Sequence, residues 1–229
     1  MAGLYIIGNG FDLHHGLMTG YQEFHRYVTQ HDPELADTVD SYFELSYNDD
    51  YLWKDFENDL GTFDWRLFFD DYNSIDLTSE SLERNEAFGL EDELDERGSE
   101  LVDSLKEIFR DWISDLHFPE SILAHKRINL VSAHKYISFN YTDTLERYYG
   151  VAESEILYIH GKAEDYRNEL IFGHGYQQER DPRLPDLDDQ GNSNRTMFTD
   201  SEDSARSLFY QFTKDATAVL EANQLFLTI

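Results

Sequence analysis

Cysteine is absent from the 229 residues. That excludes a disulfide framework, thiolate zinc sites and a cysteine nucleophile together. Basic residues are scarce: 18 Lys and Arg stand against 47 Asp and Glu, a formal charge of −29. Phosphate backbones and anionic lipid surfaces are held through Lys and Arg, so nucleic acid and membrane surfaces are disfavoured as partners. The acidity reads first as a solvated surface, or adaptation to a salty habitat; mimicry of nucleic acid, or docking to a basic partner, is the sharper alternative. Long apolar runs are also missing. None approaches the roughly 18–20 residues that a membrane-spanning helix needs. The opening apolar run is only a few residues long and has no basic stretch, unlike a secretory leader. The chain is therefore expected in the cytoplasm.

The hydrophobic fraction is an ordinary 40%, and the length suits one large α/β domain. Aromatics are plentiful, with 15 Tyr and 16 Phe, a composition that suits a homo-oligomeric interface. The informative pattern is a set of four polar loops, each set against an apolar run. LYIIG leads into GNGFD (Gly8 to Asp12), YISF into NYTDTLE (Asn140 to Glu146), ILYI into His160–Gly161, and LIF into GHG (Gly173 to Gly175). Such runs read as buried parallel strands. Open α/β sheets bind ligands beyond the carboxyl ends of their strands, so the four loops are expected to meet there.

Between the first strand (residues 3–8) and the others lies a long helical block, residues 11–116. The spacing predicts helices over Phe11–Gln30, Glu34–Phe43 opened by Pro33, Tyr51–Phe69 and Gly98–Leu116, with an acidic loop or insertion over Asp70–Glu96. Ile128–Val131, Tyr136–Phe139, Ile156–Ile159 and Leu170–Phe172 read as strand-like runs, and Thr142–Tyr149 as a short helix opened by Thr142. Tyr176–Thr199 reads as a loop, Ser201–Asn223 as one helix, and Gln224–Ile229 (QLFLTI) as a strand. A strand that stops at its last apolar residue is expected to be an edge, or the chain a shortened form.

Each loop allows some chemistry. GNGFD follows a strand and opens a helix, which suits a pyrophosphate or ribose; a tight strand-to-helix turn explains it equally, and Leu13 stands where the dinucleotide fingerprint has a third glycine. Asn140 at a strand end can orient a water or a ribose hydroxyl, since burying a bare amide is costly. Thr142 and Asp143 lean toward ordinary capping. His160 can act as general base or bind a sugar hydroxyl; His174 is similar. His14 and His15 are adjacent, and with no H-x-x-x-H or acidic triad no metal site is expected. Glu57, in WKDFE, can reach a pocket, though a solvated carboxylate is the default.

The stretches LYIIGNGFDLHHGL with the following YQEF, LWKDFENDLG, SFNYTDTLERYY, ILYIHGKA and LIFGHG run in order from residue 4 to about 175. Together they resemble the AbiH family of bacteriophage abortive-infection proteins. That family is in turn similar to sirtuin-like Rossmann proteins. The resemblance implies a Rossmann-like (sirtuin-like) parallel sheet, one domain over 1–229 with a helical subdomain at about 34–116. It implies a nucleotide ligand, NAD or a relative, as ligand or substrate, with Asn140 and His160 as the catalytic pair. Gly8, Asn9, Gly10 and Asp12 become pyrophosphate and ribose contacts; Tyr141, Thr142, Gly173 and His174 complete the candidate ligand set. It further implies a Gly-His-Ser-Leu type loop beyond the last strand, which this chain stops short of at Ile229, and a phage or host protein as trigger. The expected function is antiphage defence with NAD hydrolysis; the alternative is a non-catalytic nucleotide sensor or partner-docking module. Hydrolysis of nucleic acid is argued against by the charge.

Overall fold

A computed structural model describes residues 3–45, 53, 55–73, 89–130, 134–167, 170–176 and 198–227. Three short strands, β1 (Leu4–Ile7), β2 (Lys135–Ser138) and β3 (Ile156–Tyr158), form a parallel sheet in the order β1-β2-β3. Register is set by Tyr5 opposite Tyr136 and by Ile137 opposite Leu157. All three strands therefore end on the same side, where Gly8, Asn140 and His160 begin their loops.

Two expectations about the sheet are corrected. β1 is not buried on both faces: among the described strands it is an edge, and Leu4 and Ile6 are 38% and 69% exposed. Leu170–Phe172 is not a strand. It is tied to the sheet side by Ile171 N–H donating to the His160 carbonyl at 2.9 Å, while Leu170 and Phe172 point into the helical core. Of the 128–131 run, residues 128–130 are irregular and residue 131 lies outside the described residues.

The helices are shorter than their apolar spacing suggests, because turn residues interrupt them. Phe11–Gln30 divides into α1 (Asn9–His15) and α2 (Tyr21–His31). Gly16 ends α1 at φ 90°, a left-handed conformation natural to glycine. α3 (Pro33–Tyr42) starts as expected at Pro33, with Asp32 accepting from the Leu35 N–H at 2.9 Å. Tyr51–Phe69 is not one helix. Trp53 sits at φ 59°, fully buried and anchored by its indole N–H on Asp40 at 2.9 Å. A single turn, α4 (Phe56–Asp59), and then α5 (Trp65–Tyr72), capped by Asp64, follow it.

α6 (Leu90–Ser114) begins before Gly98, because Leu90 and Leu94 extend its buried stripe of Leu101, Leu105, Ile108, Phe109 and Trp112. The expected loop thus yields residues 70–72 to α5 and 90–96 to α6; residues 74–88 lie outside the described residues, as do 177–197 of the second expected loop. α7 is Thr144–Tyr149. The last helical segment breaks into α8 (Thr199–Gln211) and α9 (Ala216–Ala222), because Thr213 bridges to His174 between them. Of the expected strand QLFLTI, Gln224–Leu227 forms a helix instead, α10, closed locally by Phe226 N–H on the Asn223 carbonyl at 3.0 Å; residues 228–229 lie outside the described residues.

Two apolar clusters organise the molecule. The larger joins α2, α3, α5, α6 and α8, with Phe24, Trp53, Phe56, Phe109 and Phe172 packed ring on ring. The smaller lies against the sheet: Ile7, Phe11, Tyr136, Leu145 and Ile156. Much of the aromatic content is thus core rather than surface. No described helix is long and apolar enough to cross a membrane.

Candidate functional site

A cavity of about 230 Å³ lies beyond the carboxyl ends of the strands, between the two clusters. The sheet side contributes Asn9 and Asp12 from the first loop, Phe139 to Thr142 from the second, and His160 from the third. The helical side contributes Glu57, Phe109, Trp112 and Ile113, and the α1–α2 turn contributes Thr19 and Tyr21. Six of the ten candidate residues therefore converge: Asn9, Asp12, Asn140, Tyr141, Thr142 and His160.

The local chemistry explains their positions. The Gly16 turn returns the chain so that the Thr19 carbonyl accepts from Asn9 Nδ2 at 2.8 Å and the Thr19 hydroxyl donates to Asn9 Oδ1 at 2.5 Å. Asp12 is 1% exposed, and Oδ2 accepts the Thr142 hydroxyl at 2.6 Å. Thr142 thus braces Asp12 rather than capping α7, and Asp143 has no capping hydrogen bond but pairs with Arg147. Burial pushes the Asp12 carboxyl up; Thr142, Thr144, Asn140 and the nearby His15 pull it down. Asn140 is held at its backbone, where its N–H donates to Ser138 Oγ at 3.2 Å.

Two atoms stand out. Asp12 Oδ1 and Asn140 Oδ1 are both buried without a partner at hydrogen-bond geometry, although the Thr144 and Asn140 side chains lie close enough to Asp12 to favour its charged form. Each such group costs roughly 1–3 kcal/mol of stability, and both belong to residues lining the same cavity. Unsatisfied acceptors at a cavity wall are the arrangement of a site that a ligand's donors complete.

His160 is half-buried. Burial first, then the Lys214 ammonium, bring it from 6.5 down to about 4, against the raising effect of Glu57 and of a hydrogen bond to the Phe139 backbone. It is neutral at pH 7, with a lone pair available. Glu57 is not a solvated carboxylate. Oε1 accepts the Tyr141 hydroxyl at 2.7 Å, and Oε2 pairs with Lys214 Nζ at 2.7 Å. Burial and then the charge of Glu57 push the Tyr21 and Tyr141 phenols far up, so both remain protonated.

The other four candidates stand apart from the cavity wall. Gly8 and Gly10 are exposed beside the first loop, with open space where a Cβ would point. Gly173 and His174 are displaced by packing: His174 is fully buried, with Nε2 on the Phe209 carbonyl at 3.0 Å. Burial lowers its pKa. Their loop acts indirectly, since the His174 carbonyl accepts from Lys214 N–H at 2.8 Å and so places the lysine that pairs with Glu57.

Sequence reasoning missed Tyr21, Phe109, Trp112 and Lys214. The aromatics follow helical spacing, which reads as core, and an isolated Lys carries no signal. Adjacent His14 and His15 are structural: His15 bridges the Phe11 carbonyl and the Tyr149 hydroxyl at 2.6 and 2.7 Å. Among the described residues no group of His, Asp and Glu is arranged to hold a metal ion.

Residues 4–228 match the family model described as "Bacteriophage abortive infection AbiH". No curated protein matches the chain. No solved structure matches it either.

Proposed function

The chain belongs to the AbiH family of bacteriophage abortive infection proteins, and from that premise we propose that its cavity is a nucleotide site that hydrolyses NAD during antiphage defence. The observation that carries the reading is the pair of buried, unpartnered acceptors, Asp12 Oδ1 and Asn140 Oδ1, in a cavity that also holds His160. The cavity is smaller than the ~300–1,000 Å³ usual for whole drug-sized ligands. It suits the nucleoside end of a dinucleotide, with Phe109, Trp112 and Phe139 offering apolar surface to a flat ring. The pyrophosphate then lies outside, over the exposed backbone of Gly8 and Gly10. On this reading the sheet is a small relative of the Rossmann-like, sirtuin-like type, working in the cytoplasm.

In the mechanism, the nicotinamide–ribose bond breaks through an oxocarbenium-like state. Asn140 orients the ribose or the attacking water. His160, neutral at pH 7, accepts a proton from that water or from a ribose hydroxyl. Removing a general base costs ~10²–10⁴ in rate. Nicotinamide release from NAD, followed by mass spectrometry, is expected to fall by that factor in His160→Ala and in Asn140→Ala. A rate that neither substitution changes refutes the assignment.

One observation favours a second reading, binding without turnover. A pKa of about 4 makes His160 a weak base, and general bases work best near the operating pH. Thermal stabilisation by NAD with no nicotinamide formed would select this reading, in which the protein senses a nucleotide and answers to a phage or host protein.

A further inference from the structure

The polar groups at the buried end of the cavity have one character. Asp12 Oδ2 accepts the Thr142 hydroxyl while Oδ1 is buried without a hydrogen-bond partner; Asn140 has its backbone engaged, and its Oδ1 is likewise buried without one. Asp12 and Asn140 are 1% and 6% exposed, and both line the cavity. No Lys or Arg is among the described residues lining the cavity. Lys214, whose charge acts on His160, is paired with Glu57 at 2.7 Å, and the chain as a whole carries −29. A phosphate or carboxylate entering here would meet a buried carboxylate and find no counter-charge. A neutral group with two donors would satisfy both oxygens.

We infer that Asp12 and Asn140 are a specificity pair, reading a neutral two-donor group of the ligand and rejecting anions at that position. The chemistry fits a ribose cis-diol or a primary carboxamide, and the inference rests on the nucleotide reading above. Asp12 is then the residue that sets the identity of the ligand's buried end. This differs from a phosphate-cradling role for the whole GNGFD loop: the glycines face the solvent side, where the phosphates lie, and the aspartate faces inward.

The test is equilibrium calorimetry on the full chain carrying His160→Ala to suppress turnover, at pH 7.5. Three probes are compared: NAD, its analogue with a carboxylate in place of the carboxamide, and its analogue lacking the 2′-hydroxyl on the nicotinamide ribose. NAD is expected to bind, and one analogue to bind at least about tenfold more weakly, the shift that one lost charge-assisted hydrogen bond produces. A weakened carboxylate analogue identifies the amide as the group read; a weakened deoxy analogue identifies the diol. Adding Asp12→Asn should narrow that discrimination. Because the three probes are compared with Asp12 in place, the answer does not depend on the folding of that last variant. Equal affinities for all three probes overturn the inference and leave the nucleotide reading intact. Binding of none of them overturns both.

Discussion

Replacing Gly173 by alanine separates a structural glycine from a ligand-contacting one. Gly173 has φ +139°, a conformation side chains rarely adopt, and a Cβ there would collide with the Phe212 carbonyl oxygen and lie 2.7 Å from its carbon. Both partners are backbone, so no rotamer change relieves the contact. The same Phe212 oxygen accepts the His174 N–H at 2.9 Å. Forcing the Gly173–His174 loop away from Phe212 costs the backbone strain, ~1–3 kcal/mol, plus about 1 kcal/mol for that hydrogen bond, or about 3 kcal/mol together. In a chain of this length each kcal/mol moves the melting temperature by ~2–4 °C. A fall of roughly 6–12 °C is therefore expected by circular dichroism. Gly175→Ala is the control, because nothing lies within 4 Å of its added methyl, and it should melt with the parent. If Gly173→Ala also melts within about 2 °C of the parent, the Gly173–His174 loop does not hold Lys214 in the way described.

Three further predictions concern His160 and the first loop. His160, held at about 4 against an ordinary 6.5, binds a proton in the unfolded chain but not in the folded one between those values. Stability should therefore fall as pH drops from 6.5 to 4, by on the order of 2 kcal/mol, and His160→Gln should remove that fall. Asp12, pushed up by burial, works in the opposite sense in both proteins, so the difference between their pH–melting curves isolates the histidine. If NAD is turned over, the acid limb of kcat/KM should lie near 4; a limb near 6.5 would contradict the placement of His160. Gly10→Ala meets open space and should leave the melting temperature unchanged while weakening NAD, and equal NAD affinity would exclude close approach of a phosphate to that backbone.

The parts of the site that could be read from the sequence are those where one residue type has one reason for its place. Gly8 after LYII, Asn140 after YISF and His160 after ILYI mark strand ends, and those strands pair in parallel and bring the three loops together. Glu57 was harder. Its sequence neighbours suggest a helix surface, and only the positive φ of Trp53 and the single turn of α4 that follows turn it toward Tyr141 and Lys214. Phe109 and Trp112 share the stripe that buries α6, so periodicity cannot tell the cavity wall from the core. His174 resembled His160 in sequence, each beside a glycine after an apolar run. Their difference arises from α8, whose Phe209 carbonyl engages the His174 ring, a contact 35 residues away in sequence.

The most direct test of the account is hydrogen–deuterium exchange of the full chain with and without saturating NAD. Protection is expected in the three strand-end loops, at residues 8–17, 138–144 and 159–163, and in α6 around Phe109 to Ile113. Exchange that NAD leaves unchanged, or protection confined to segments away from these loops, would contradict the assignment of the cavity as the nucleotide site.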